Sequence, residues 1–286
     1  MTPSLAIIGG SGLYEIDSLE VIERHNPMTP FGETSDEIIE GKLSDRTVFF
    51  LPRHGKGHRL LAHEINHRAN IWALRSLGAR WVISVTAVGS LKQELAPRDV
   101  VVPDQLVDRT GRAHEHTFFG NGIAAHVGFA DPYSGEMRKR LLAAAAKHTD
   151  RHHDGGTYVS MNGPAFSTRA ESNMHRSHGF DLIGMTNAPE ARLCREAEIA
   201  LATLCLVTDY DCWKTDEPAV DVAAVIANLQ ANSELAKDII KTLIPTLPTE
   251  PDWTEHSSLD TAILTPVTNW PSKTTQKLKP IIGRFL

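Results

Sequence analysis

Residues 62–74, AHEINHRANIWAL, contain the spacing His-Glu-x-x-His through His63, Glu64 and His67. On one continuous helix, two histidines four residues apart can bind a zinc ion, and the glutamate can act as the general base of a hydrolase. Asn66 and Ile65 instead indicate a helix that begins inside the motif, which would leave His63 in the preceding loop. The glycine-containing extension that supplies a third ligand in many zinc proteases is absent, so we favour an interpretation without metal.

A second set of residues suits an oxyanion and stands where predicted strands end. Glycines let backbone N–H groups approach a phosphate, hydroxyls donate hydrogen bonds, and arginine binds bidentately. The first of these segments is neither a dinucleotide-binding fingerprint, because it lacks the third glycine, nor a P-loop, because it lacks Gly-Lys-Ser/Thr. The segments are Gly9-Gly10-Ser11-Gly12, Arg53-His54-Gly55, Thr86-Ala87-Val88-Gly89-Ser90, residues 162–168, Met185-Thr186-Asn187 and Thr208-Asp209-Tyr210-Asp211.

Asp209 and Asp211 follow an apolar strand and lie two residues apart, so they could face the same side. One carboxyl could protonate or hydrogen-bond a heterocycle while the other orients it. Helix capping and Mg²⁺ ligation are alternatives for this pair. Neither alternative explains the apolar residues Phe166, Met185 and Trp213, between which a flat ring could bind.

The elements that must position these residues alternate between short apolar strands and helices. Strands that are apolar throughout and separated by helices indicate a mixed or parallel sheet covered on both faces, within one α/β domain. In open α/β sheets, ligands bind beyond the carboxyl ends of the strands. The predicted strands are 5–10, 36–43, 47–52, 80–87, 99–107, 157–163, 181–186 and 201–209. The predicted helices are 64–77, 134–148, 168–178, 188–198 and 219–242.

Composition excludes several classes of protein. The net charge of -6 over 286 residues argues against a general nucleic-acid or membrane-surface role. Three cysteines cannot all pair, which favours a reducing compartment. The start reads as a strand rather than a signal peptide, and no segment approaches the roughly 20 apolar residues of a membrane helix. We therefore expect a cytoplasmic protein that does not bind membranes.

The composition changes near residue 245. Residues 246–286 are rich in proline, threonine and serine, yet they include Trp253 and Trp270. Prolines exclude a long helix, while tryptophans argue against full disorder. We expect a domain over residues 1–245 and a C-terminal extension over 246–286 that packs on its own subunit or on a neighbour.

Eight segments, in order over residues 5–245, resemble the methylthioadenosine phosphorylases of the trimeric purine nucleoside phosphorylase family. The resemblance implies an α/β phosphorylase/hydrolase-like fold, a single domain with a mixed central sheet flanked by helices. It also implies a homotrimer, with a dimer of trimers left open, and a pentosyltransferase that needs no metal or organic cofactor because phosphate is its co-substrate. The segments are AIIGGSGLY, TPFGETSD, RHGKGHR, INHRANIWAL, TAVGSL, NGPAFSTRAES, GMTNAPEARLCREAEI and VTDYDCWK.

Carried over position by position, the resemblance implies roles for individual residues, with Asp209, Asp211 and His54 as the catalytic groups. Phosphate binding falls to Ser11, Arg53, His54, Thr86, Ala87 and Thr186. Contacts with the nucleoside fall to Phe166, Ser167, Met185, Thr208, Asp209 and Asp211, and the apolar lining for a 5'-alkylthio group to Val222, Val225 and Ile226. His126 resembles a residue that the neighbouring subunit contributes to the sugar pocket.

The expected reaction is phosphorolysis of 5'-methylthioadenosine to adenine and 5-methylthioribose-1-phosphate. An adenine offers an amino donor that a carboxylate accepts, whereas 6-oxopurine members of the family carry asparagine where this chain has Asp209. The chain departs from the family at three positions: Asn162 replaces a glutamate, Ala165 a longer side chain and His67 a tyrosine. The first two leave the fine specificity open. The near alternative is a broader purine nucleoside phosphorylase that acts on adenosine, inosine or 5'-methylthioinosine. A zinc hydrolase and a non-catalytic nucleoside-binding protein are the alternatives from other classes.

Overall fold

The computed structural model describes residues 4–10, 19–214 and 222–286, with residues 222–225 and 229 described by their backbone alone. One mixed sheet of eleven strands runs through these residues. The strands are β1 (Ser4–Gly9), β2 (Glu20–His25), β3 (Ile38–Leu43), β4 (Arg46–Pro52), β5 (Ala79–Ser90), β6 (Val100–Val102), β7 (Gln105–Asp108), β8 (His152–Asp154), β9 (Thr157–Ser160), β10 (Leu182–Gly184) and β11 (Ala200–Asp209).

Helices cover both faces of the sheet. In the part of the chain that the structure describes, no helix is long and apolar enough to cross a membrane. The helices are α1 (His67–Ser76), α2 (Gly135–Ala145), α3 (Arg169–Ser177), α4 (Asn187–Glu196), α5 (Val222–Leu243), α6 (Ser272–Lys277) and α7 (Lys279–Ile282).

Strand β5 lies at the centre of the sheet and has three partners. It pairs in parallel with β1 and with β11, and its last two residues pair with β10 in the antiparallel sense. Strands β2, β3 and β4 extend one side as antiparallel neighbours. The expected mixed sheet flanked by helices is confirmed. Strand β5 joins the part that contains β1 to β4 to the part that contains β10 and β11.

Alternation along the central strands divides the core into two layers. Successive side chains of a strand point to opposite faces, so Leu5 and Ile7 of β1 pack with α2 and α5, while Ala6 and Ile8 pack with α1 and α4. Trp81 of β5 belongs to the first layer and is completely buried. Because both faces are covered, the functional groups lie at the strand ends.

Three differences from the predicted elements have physical explanations. Strand β2 (EVIERH) was not predicted because it is an exposed edge strand without an apolar face. Strand β8 is three polar residues long and carries no pattern. The single strand predicted over 99–107 is two strands, β6 and β7, separated by Pro103, which has no N–H for a ladder hydrogen bond.

The C-terminal segment packs on its own chain. Leu259, Leu278 and Ile281 enter the layer that contains α1 and α4. The Trp72 indole N–H of α1 donates to the carbonyl of Lys277 at 2.9 Å. The Arg284 guanidinium donates to both carboxylate oxygens of the fully buried Glu198, at 3.0 and 2.6 Å. Short helices separated by prolines therefore tie residues 246–286 to the sheet.

Candidate active site

Strand register brings the predicted strand ends to one edge of the sheet. Gly9 at the end of β1 lies opposite Pro52 of β4, and the backbone N–H of Arg53 donates to the Gly9 carbonyl at 2.8 Å. Asp209 at the end of β11 lies opposite Gly89 of β5, and Ile183 of β10 pairs with the same glycine. The segments that the sequence separates by up to two hundred residues thus meet where a ligand can bind.

Arg53 and Glu190 form a buried ion pair at this edge. Arg53 Nε donates to Glu190 Oε1 at 2.5 Å, and Nη2 reaches Oε2 at 3.2 Å. The remaining donors of the guanidinium bind the carbonyls of Ile8 and Val85 and the hydroxyl of Ser84. Both side chains are 2% exposed. Most donors of the guanidinium therefore bind the protein, and phosphate binding by Arg53 stays a prediction.

A hydrogen-bond network continues from this pair through α4 and β5. The Ser84 hydroxyl donates to Glu190 Oε2 at 2.6 Å. Asn187, the first residue of α4, donates from its amide to Thr203 at 2.8 Å and accepts from the Tyr133 hydroxyl at 2.6 Å. Sequence reasoning missed Glu190 and named Asn187 only as part of a strand-end segment. The one signal available was a carboxylate within the otherwise apolar start of a helix.

His54 lies beside Arg53, half-buried, with its ring stacked on His58 at 4.2 Å between centroids. Burial and the Arg53 charge lower the pKa of His54 to about 4, so the ring is neutral at physiological pH. Its Nδ1 lies 2.9 Å from the Leu60 carbonyl, which can only accept. Nδ1 therefore holds the proton, and Nε2 is an acceptor, suited to a ligand O–H rather than to a bare anionic oxygen.

Thr186 precedes the first turn of α4 and is buried, yet its hydroxyl has no hydrogen-bond partner among the described residues. At the N-cap position a threonine hydroxyl usually binds a backbone N–H of the first turn. Here that bond is absent, so the hydroxyl and the positive end of the helix are available to an anion. Thr86 and Ala87 of β5 lie on the adjacent strand, the first buried and the second half-buried.

Some expected site residues are not described by the structure. Ser11 lies outside the described residues, and the side chains of Val222 and Val225 are likewise outside them. Ile226 is 48% exposed on α5. The predicted apolar lining from this helix therefore stays a prediction.

Asp209 and Asp211 occupy the end of β11, and the carboxylate of Asp209 is held from two sides. It accepts from the Thr208 hydroxyl and from the backbone N–H of Asp211, each at 2.7 Å. Burial raises the pKa of Asp209, and these two hydrogen bonds oppose the rise. Asp211 turns through the left-handed region at φ 51°, and its buried Oδ2 has no partner within the described chain. An orphaned carboxylate oxygen here requires a donor from a ligand or from water.

Gly89 makes room for Asp209. A Cβ at this position would lie 3.0 Å from Asp209 Oδ1 and 3.0 Å from a methyl of Ile183. A larger residue would force Asp209 or Ile183 to shift by a few tenths of an ångström. The packing of the site therefore favours the glycine of the TAVGSL segment.

A loop over residues 161–168 lies beside the two aspartates. Gly163 has φ +67°, and a Cβ there would lie 2.5 Å from the Met185 sulfur, so the glycine brings the loop against Met185. The Cys212 thiol donates to the carbonyl of Ser167 at 3.2 Å. Phe166 on the same loop is 47% exposed. The structure therefore brings Ser167 to Cys212, the residue after Asp211, and packs Met185 against the same loop, while the Phe166 ring is exposed.

The His-Glu-x-x-His segment does not form a helical metal site. His63 and Glu64 belong to a short 3-10 helix, Asn66 caps α1, and α1 begins at His67. His63 is exposed, whereas His67 is buried with Nδ1 3.9 Å from Glu190 Oε1. The expected helix start inside the motif is confirmed. His67 therefore lies against the buried Arg53–Glu190 ion pair.

His126 stands apart from the other predicted residues. It is exposed on a segment whose backbone pairs with the C-terminal extension, where its N–H donates to the Ala262 carbonyl at 2.9 Å. It lines a groove of about 460 Å³ with Phe129, Arg192 and Glu196, and the predicted phosphate and base residues do not line this groove. Within one subunit, His126 therefore does not lie beside Asp209 and Asp211.

Replacing Glu190 with glutamine is expected to destabilise the protein by about 3–5 kcal/mol, because the buried Arg53 charge loses its counter-charge. Urea unfolding measures the change. The double variant Arg53→Met/Glu190→Met, which removes both charges, is expected to lose less stability than E190Q alone. An E190Q midpoint equal to that of the parent would contradict the assigned role of the pair.

The raised pKa of Glu196 leads us to expect that the stability of the protein depends on pH. Burial raises its pKa from 4.5 to about 7, against hydrogen bonds from Phe118 N–H and the Thr117 hydroxyl. A raised folded-state pKa means that the contribution to stability is complete below the unfolded value and is lost as pH rises through about 7. Unfolding free energies from about pH 5 to about pH 8.5 should fall by an amount on the order of 2–3 kcal/mol from this group.

The variant Glu196→Gln should flatten this part of the pH profile, while Glu234→Gln, at an exposed position of α5, should leave it unchanged. Equal slopes for the parent protein and E196Q would show that Glu196 is ionised throughout the range.

Comparison with known proteins places this geometry in a family. The family model of the phosphorylase superfamily matches residues 4–245. The S-methyl-5'-thioadenosine phosphorylase of Geobacter sulfurreducens is 46% identical over 286 residues, which cover all of both chains. This similarity extends through residues 246–286, which the recognised motifs did not reach.

Solved structures agree. A methylthioadenosine phosphorylase from an antarctic soil metagenomic library superposes with a TM-score of 0.92 at 46% identity, over 98% of this chain and 99% of the other. A mutant adenosine/methylthioadenosine phosphorylase from Schistosoma mansoni, in complex with methylthioadenosine, gives a TM-score of 0.81 at 35% identity, over 89% and 94%. The chain described here therefore belongs to the phosphorylase superfamily.

Proposed function

We propose that this protein is an S-methyl-5'-thioadenosine phosphorylase, which converts 5'-methylthioadenosine and phosphate to adenine and 5-methylthioribose-1-phosphate and so serves purine and methionine salvage. The observation that carries the proposal is that groups suited to a purine base and groups suited to an oxyanion lie at the same edge of the sheet. Asp209 ends β11 and the buried Asp211 follows it by two residues, while the unpaired Thr186 hydroxyl lies just after β10. The full-length similarity to phosphorylases of this name supports the assignment.

The phosphate would bind between the ends of β1, β4, β5 and β10. Thr186 and the start of α4 supply a free hydroxyl and a positive dipole. The neutral His54 accepts a hydrogen bond, so it matches the O–H of a monohydrogen phosphate and directs the anionic oxygens away from itself. Arg53, whose guanidinium is paired with Glu190, belongs to the same proposed phosphate-binding set. Ser11, Thr86 and Ala87 complete the proposed set.

Cleavage then needs charge stabilisation at both ends of the glycosidic bond. The bond from C1' to the purine nitrogen breaks as a phosphate oxygen bonds to C1'. In the transition state between these two bonded states, the ribose gains oxocarbenium character. Phosphate stabilises that positive charge, while the departing purine accepts a proton or hydrogen bond at N7 from Asp209. Burial, which raises the Asp209 pKa, favours the protonated form that can donate.

Selection of a 6-aminopurine rests on Asp211. Its buried Oδ2 lacks a donor in the described chain, and the exocyclic amino group of adenine provides one. A 6-oxopurine would bring a second acceptor to the same place. Phe166 and Met185 would contact the base and the ribose, and the start of α5 would line the 5' position. Asn162 and Ala165 are both exposed beside Phe166, so the rim of the pocket is more open than a longer side chain would make it.

The deciding experiment is phosphate-dependent cleavage of methylthioadenosine, adenosine and inosine, compared by kcat/KM. Methylthioadenosine should be preferred, whereas a preference for inosine would favour the broader purine nucleoside phosphorylase. Asp209→Asn should lower kcat/KM for methylthioadenosine on the order of 10²-fold or more, because an amide cannot transfer a proton. Asp238→Asn on the exposed side of α5 is the control. Unchanged turnover in D209N would remove Asp209 from the mechanism.

We also propose that the active unit is a homotrimer in which His126 serves the neighbouring sugar pocket. The exposed position of His126 in an open groove, away from its own aspartates, supports this arrangement. His126→Ala should then raise KM for the nucleoside without changing the thermal midpoint. Native mass measurement should give three subunits or a multiple of three. A fully active monomer would overturn the arrangement.

A further inference from the structure

A groove of about 760 Å³ lies at the opposite end of the sheet from the active site. It runs between the turn that joins α1 to β5 and the C-terminal extension, and Trp72, Arg75, Arg80, Gln276 and Lys279 are among its lining residues. Arg80 belongs to the amino end of β5 and Gly89 to the carboxyl end, which separates the groove from the aspartates by roughly 30 Å.

The lining of this groove is positively charged. Three of its lining residues are cationic and none is acidic. The buried carboxylate Glu198 offsets part of the charge of Arg75 and Arg80, but its two oxygens are bound by Arg284, which also pairs with Asp260. Burial, followed by the Arg80 charge, lowers the pKa of Arg75 to about 10. The two guanidiniums are therefore held together against their mutual repulsion.

The guanidiniums of Arg75 and Arg80 have further N–H donors beyond those that bind the protein. Within the described residues, Arg75 uses Nε on the Ala197 carbonyl at 2.9 Å, and Arg80 uses Nη2 on the His256 carbonyl at 3.2 Å. Arg80 Nε is buried and has no partner in that part of the chain. A buried donor without a partner is costly, and a bound acceptor removes the cost.

From these contacts we propose that Arg75, Arg80 and Lys279 form a second anion site, which takes an organic phosphate or diphosphate. Arginine forks match phosphate oxygens bidentately, and lysine adds a point charge. The volume lies within the range of small-molecule sites, and Trp72 with two prolines provides an apolar wall for the organic part. This site is separate from the phosphate position at Thr186.

The test is isothermal titration at low ionic strength with two probes, inorganic pyrophosphate and uridine diphosphate. Both should bind saturably. Arg75→Gln and Lys279→Met should each weaken binding about tenfold or more, since each removes a charge contact with a multiply charged anion. Lys139→Met, at an exposed lysine of α2, should bind as the parent protein does. Tighter binding of the nucleotide than of pyrophosphate identifies an organic phosphate, and equal binding identifies the inorganic group.

Thr186→Val separates the two anion sites, because it alters only the active site and should retain probe binding in the groove. The proposal is overturned if neither probe binds the parent protein, if R75Q and K279M both bind normally, or if binding disappears in T186V. Lys279 is exposed, so K279M keeps the test valid even if R75Q folds poorly.

Discussion

The ion pair between Arg53 and Glu190 is the interaction on which the site depends. It joins the residue after β4 to the first turn of α4, and the same guanidinium binds carbonyls of β1 and β5. Two charges that are 2% exposed carry a large desolvation cost. That cost is offset only if every donor and acceptor is satisfied, which fixes the relative positions of four elements. The start of α4, with its free Thr186 hydroxyl, is held at the strand ends as a result.

Close backbone approach is the second constraint. Gly89 and Gly163 occupy positions where a Cβ would meet Asp209 or Met185. These glycines let β5 pack directly against Asp209, and they let the loop over residues 161–168 pack directly against Met185. Hydrogen bonds from Thr208 and from the Asp211 backbone then orient Asp209, while Asp211 Oδ2 is left for a ligand. The site thus combines groups held by hydrogen bonds with a few polar atoms that have no partner in the described chain.

Prediction from sequence succeeded where a local pattern decides the outcome. The apolar strands around Ile7, Ile83 and Leu204 and the five helices over the first 245 residues were predicted because both sheet faces are buried. The helix start at His67 was predicted from Asn66, and it removed the metal interpretation of the His-Glu-x-x-His spacing. Prediction failed for β2 and β8, which are polar edge segments whose structure comes from pairing with a neighbour.

The sequence by itself determined the fold class, the family and the strand ends where chemistry could occur, because periodicity and short motifs act over neighbouring residues. Only the tertiary structure decided what each polar group does. Arg53 was expected to bind the anion, and the structure adds that Glu190, 137 residues away, pairs with its guanidinium. His54 was expected as a phosphate ligand, and its contact with the Leu60 carbonyl decides that it accepts rather than donates. Contacts formed in the folded chain determine how the Arg53 charge is compensated and which nitrogen of His54 holds the proton. A local sequence pattern does not encode these contacts.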